Sequence, residues 1–95
     1  MKIMENYSDL IREIDDPPFW TSFVHQLEDA RVHLSELIDE MCAKNEVDEI
    51  ELGIRLGHIY GHLNRAWNGR RLANADVSEW YTEKNCRFPD DVTIT

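Results

Sequence analysis

Along most of the chain, apolar residues recur at three- and four-residue spacing, the pattern of amphipathic helices. Ile3, Tyr7, Leu10, Ile11 and Ile14 predict a first helix over residues 3–14. Asp15-Asp16-Pro17-Pro18 then stops one helix and starts the next. Proline disfavours helical backbone in the residue before it, and Asp16 can cap a helix whose first position is Pro17. A long second helix follows, from about 18 to 44. Trp20, Leu27, Leu34 and Met41 stand seven apart, and Phe23, Val24, Ala30, Leu37 and Ile38 fill the positions between them. Such a heptad-like seam is the pattern of helix-bundle packing. A brief turn leads into a third helix at about 48–68, capped by Asp48 or Asn45. The short connection makes the second and third helices an antiparallel hairpin. A short C-terminal helix is predicted over Val77–Glu83, burying Val77, Trp80 and Tyr81. The tail, 86–95, is expected to be extended or flexible. The fold class is thus an all-α helical bundle in one domain.

The third helix has a second pattern inside the first. Leu52, Leu56, Ile59, Leu63 and Trp67 form one apolar stripe. Gly53, Gly57 and Gly61 run down the opposite side with Ile50 and Ile54 beside them. A glycine inside a helix costs about 1 kcal/mol relative to alanine, so three in one helix call for a reason. The leucine side is expected to face the chain's own core, and the glycine side to admit another helix at close range. The simplest such helix belongs to a second copy, which predicts a homodimer. The alternatives are that the first helix of the same chain lies in the groove, or that the groove takes a small ligand.

Composition narrows the class. Ninety-five residues with 42% apolar and 31% charged side chains are the balance of one globular domain. No apolar run approaches membrane-spanning length, and the N-terminal stretch MKIMENYSDL has no continuous apolar segment of the signal-peptide type. Cys42 and Cys86 form no CxxC pair. A cytoplasmic protein with reduced thiols is expected. The net charge of −9 divides into −7 over residues 1–46, +1 over 47–71 and −3 over 72–95. A surface this acidic repels phosphates and anionic headgroups, so neither direct nucleic-acid binding nor membrane association is expected. Glu28, Asp29, Glu36, Asp39 and Glu40 gather on the outer face of the second helix and suit a basic protein partner.

Three groups of residues offer chemistry. His58 and His62 stand one helical turn apart, the spacing of paired metal ligands, with Glu51 two turns earlier as a third candidate. A polar strip hydrogen-bonded to Glu51 or to the acidic second helix explains the same residues and is preferred, so no metal or other cofactor is assigned. His25, Asp29 and His33 make a second line of this kind, with Glu36 nearby. Acids on adjacent helices (Glu36, Asp39, Glu40, then Asp48, Glu49, Glu51) invite comparison with all-α nucleotide pyrophosphohydrolases, which hold magnesium between inward carboxylates. Here those acids flank apolar core positions instead of replacing them. The one basic cluster, Arg65, Arg70 and Arg71 around Trp67, is expected to pair with the acidic helix or tail.

In size, charge and helicity the chain resembles bacterial immunity proteins, antitoxins and the products of mobile gene cassettes. No motif carries individual residues over from them. The expected function is a small acidic protein-interaction module, homodimeric, binding a basic protein partner. An all-α metal-dependent nucleotide hydrolase or metal-binding protein is one alternative. A small-ligand sensor with a pocket beside Gly57, Tyr60 and Trp67 is another.

Overall fold

The computed structural model describes residues 9–72 and 77–95, with only the backbone of Val77. Two long helices dominate it, α1 at Pro17–Lys44 and α2 at Glu49–Asn68, followed by two single turns, α3 at Val77–Trp80 and α4 at Glu83–Cys86. Among the described residues there is no strand, and no helix is long and apolar enough to cross a membrane. The chain is therefore a small all-α protein built on a helical hairpin, as its periodicity predicts.

Local chemistry sets the hairpin's limits. The Asp16 carboxylate accepts from Phe19 N at 3.2 Å, and Pro17 takes the first helical position, where no backbone donor is needed. Asn45 ends α1 in left-handed backbone (φ 56°), the one non-glycine residue with positive φ among those described. Asparagine tolerates that conformation better than most side chains. The Asp48 carboxylate then accepts from Glu51 N at 3.0 Å and opens α2.

Between the two helices lies a narrow core. Ala30, Leu37 and Ile59 are buried, and Met41, Leu52 and Leu56 pack against them. A second apolar cluster closes the other end. There Phe19 stacks on Phe23 (5.4 Å between ring centroids) and on Trp80 (5.7 Å).

Three expectations need correction. The predicted first helix, 3–14, falls partly outside the described residues. Where it is described, residues 9–12 have no regular structure and Glu13–Asp15 form a single 3₁₀ turn. Asp16 must be extended to precede Pro17, and Leu10 and Ile14 are largely exposed, so the apolar spacing there buries little. The predicted helix at Val77–Glu83 is instead two turns separated at Tyr81 and Thr82. Thr82 takes extended backbone, and its hydroxyl accepts from Asn85 N at 3.3 Å, so the chain restarts as α4. Trp67 is only half-buried. Arg70 lies 3.7 Å over its ring, and its indole N–H donates to Asp91 at 2.8 Å.

The glycines divide by surroundings. A Cβ at Gly53 or Gly57 would meet nothing within 4 Å. Beside Gly61 lies the Arg65 guanidinium, 3.2 Å from where a Cβ would stand. Gly69 is the crowded one. A Cβ there would come within 2.7 Å of the Trp80 ring and 2.9 Å of the Arg65 carbonyl oxygen. It follows that Gly53→Ala and Gly57→Ala each stabilise the isolated chain by about 1 kcal/mol through helix propensity alone. Urea unfolding at low micromolar protein checks this, and a loss of stability in either variant would mean that something packs on that glycine.

Candidate functional site

In an antiparallel hairpin, residues equally far from the turn stand level with one another. Counting outward from the turn, His33 of α1 falls level with Tyr60 of α2, between His58 and His62. The structure brings these three imidazoles together, with one nitrogen of each lying within 4.8 Å of the others. His33 and His62 stack nearly parallel, 5.5 Å between centroids at 13°. His58 stands edge-on to both, at 4.5 Å from His33 and 4.7 Å from His62. His62 is buried, His33 half-buried and His58 exposed, so the cluster opens to solvent on one side.

The hydrogen bonds orient one amide against the buried imidazole. Arg65 Nε can only donate, and it lies 3.2 Å from Gln26 Oε1, which sets the orientation of the Gln26 amide. His62 Nδ1 lies 2.9 Å from the same oxygen and 3.1 Å from Arg65 Nη2, which can only donate, so it stands between an acceptor and a donor. His62 Nε2 faces His58 Nε2 at 3.3 Å. Burial pushes the His62 imidazole below its usual range, with the Arg65 charge and His58 adding to the effect and Asp29 opposing it. On the far side of His33, Glu36 lies 3.6 Å from Nδ1, which leaves Nε2 as that ring's remaining nitrogen.

Behind the histidines is a buried polar layer. Gln26 donates from its amide nitrogen to the Tyr81 hydroxyl at 3.3 Å. Arg65 is buried without a carboxylate partner among the described residues. Its guanidinium instead lies 4.3 Å over the Tyr81 ring and donates to Cys86 Sγ at 3.4 Å. Asn64 and Asn68 donate to the carbonyl oxygens of Cys86 and Arg87, tying the C-terminal segment to α2.

The other candidate residues lie elsewhere. Glu51 is not beside His58 and His62. It lines a cleft at the hairpin turn with Glu40, Asp48, Lys44 and Arg55. Within that cleft Arg55 and Lys44 pair with Glu40, holding its carboxyl below the ordinary range, and Asp48 is engaged in capping. Most of the acidic strip is also internally paired: Glu28 with Arg31, Asp29 with His25, Glu36 with His33 and Glu40 with Arg55. Of the basic cluster, Arg70 pairs with Asp91 of the tail, whereas Arg71 donates to the Asp9 carbonyl oxygen. Beside the three residues of the ligand alternative, Tyr60 packs on Phe88, Trp67 lies under Arg70, and Gly57 borders open space.

Opposite the histidines the hairpin is apolar and open. At about 100° per residue, Val24, Leu27, Leu34 and Ile38 lie on one side of the buried Ala30–Leu37 line, with half-buried Trp20 in the same row. Leu27 is 43% exposed, Leu34 42% and Ile38 49%. Because α2 runs antiparallel, its partly exposed Leu63 and Tyr60 fall on that same side, next to Leu56. Around α2 from there lie Gly53, Gly57, Ile50 and Ile54, all exposed. Half of the heptad seam is therefore core and half is surface. Nothing among protein-family models, curated proteins or solved structures matches the chain, so function rests on this geometry.

Proposed function

We propose that the chain is a protein-interaction module that assembles by pairing two hairpins and presents its acidic strip to a basic partner. The observation that carries this reading is the open row Trp20, Val24, Leu27, Leu34 and Ile38, spaced as a bundle seam and flanked by Tyr60 and Leu63. A contiguous exposed apolar face of this kind is rare on a monomer. Two such faces related by a two-fold axis complete a four-helix bundle, and the match needs only self-complementarity. In that arrangement Glu28, Glu36 and Asp39 remain outside, on the part of α1 turned away from α2, where their net negative charge steers a basic surface into place.

Light scattering on a sizing column is expected to return twice the chain mass for the wild type. Leu34→Glu places two unpaired charges at the two-fold contact, and the dimer dissociation constant is expected to rise by at least about 100-fold. Its helical circular dichroism should persist, because Leu34 contributes little to the hairpin's own core. A monomeric wild type would overturn the pairing. A dimer insensitive to Leu34→Glu but broken by Gly57→Leu would place the contact on the glycine side of α2. Loss of captured basic protein as salt rises, and on charge reversal at Glu36 and Asp39, tests the acidic strip separately.

A further inference from the structure

We propose that His33, His58 and His62 form a binding site for a divalent transition metal of the zinc class, with water completing the coordination. Metal–imidazole bonds of 2.0–2.1 Å in a tetrahedral site put neighbouring nitrogens about 3.3–3.4 Å apart. The His58 Nε2 to His62 Nε2 separation is 3.3 Å, so one edge of that tetrahedron is already formed. The separations to His33, no greater than 4.8 Å, close to the same edge by rotation of His33 and His58, the two rings that are not buried.

The outer contacts are those of a ligand set. A metal-bound imidazole characteristically donates its other N–H to a carbonyl or carboxylate, which orients the ring and raises its basicity. His62 Nδ1 lies 2.9 Å from the Gln26 amide oxygen, the acceptor that a metal-bound ring would use, with Arg65 Nη2 at 3.1 Å, and His33 Nδ1 faces Glu36 at 3.6 Å. Gln26 is itself held by Arg65 and Tyr81, so the buried ligand is locked in position before any ion arrives. Without an ion, one of the two facing Nε2 atoms carries a proton, and metal binding displaces it to the other nitrogen of its own ring.

Three neutral nitrogen ligands select zinc, cobalt, nickel or copper over magnesium and calcium, which take oxygen. His25 lies outside the group, on the exposed side of α1, and provides the control. The turn-proximal acids are also apart from it.

Calorimetric titration of the purified full-length chain with zinc chloride at neutral pH is the test. One ion per chain is expected. His33→Ala and His58→Ala should each weaken binding at least tenfold, and His25→Ala should leave it unchanged. Neither ring is buried, so both variants are expected to fold, with circular dichroism as the check. Should either fail to fold, carbon–proton correlation spectra of the wild-type imidazoles replace it: zinc should shift His33, His58 and His62 and not His25. Binding that survives the His33→Ala/His58→Ala double variant, falls with His25→Ala, or leaves the three imidazoles unshifted in those spectra would overturn the site. Repeating the titration in Leu34→Glu separates this result from the pairing of hairpins, since the site lies within one chain.

Discussion

Trp80→Ala is expected to lower the unfolding free energy by about 3–5 kcal/mol, as for other large aromatic truncations in cores. Trp80 is 2% exposed, the most deeply buried large side chain of those described, and it is what the C-terminal segment inserts against Phe19 and Gly69. Gly69→Ala attacks the same contact from the other side. Its new methyl would stand 2.7–2.8 Å from two carbons of the Trp80 ring, and the ring is packed too tightly to yield. Overpacking of this kind costs about 1–3 kcal/mol. The two changes should not add. With Trp80 removed, the alanine at 69 still stands 2.9 Å from the Arg65 carbonyl oxygen, but the part of its cost due to the ring should vanish. Denaturant unfolding of the two single variants and the double variant measures that coupling. Additive losses would show that Gly69 serves the end of α2 and not the indole.

Leu37→Ala is the second large effect, about 2–5 kcal/mol. Leu37 is 2% exposed and sits at the centre of the core with Ala30 and Ile59. The same truncation three residues earlier, Leu34→Ala, removes a side chain that is 42% exposed. In dilute solution it should cost less than about 1 kcal/mol, as surface changes do. The contrast has a further use. If two hairpins pair through this face, the cost of Leu34→Ala should grow with protein concentration while that of Leu37→Ala stays constant, because only the first acts on an association equilibrium. Thermal melts across a hundredfold concentration range would show it.

The hairpin was legible in the sequence because several signals agreed at each end. Asp16 with Pro17 and Asp48 each play the capping role their spacing assigns, and Asn45, the alternative cap for α2, ends α1 instead. The seam was harder to divide. Leu27 and Leu34 follow the heptad as well as Ala30 and Leu37 do, and periodicity shows an apolar arc without showing which part of it the partner helix covers. Residues 9–14 failed for a related reason: spacing alone suggests a helix, but burial supplies most helical stability and Leu10 and Ile14 are largely exposed. Gly69 escaped notice because its constraint comes from Trp80, a residue eleven positions away that meets it only after the chain turns back. The histidine cluster was half-visible. His58 and His62 were paired by helical spacing, whereas His33 belonged to a separate line on α1, and Glu51 was nearer in sequence. Once the hairpin's register is laid out from its turn, His33 falls between the other two. That register was the unused signal.

Gln26 gives the molecule an internal correlation. One amide accepts from Arg65, lies 2.9 Å from His62 Nδ1 and donates to Tyr81, so three segments distant in sequence share a single side-chain orientation. Any influence that favours the present setting of the His62 ring must favour the docked Tyr81 by the same factor, and docking must favour the ring in return. The C-terminal segment is therefore more than a cover over the hairpin's end. Its attachment and the state of the imidazoles form one equilibrium, readable from either side.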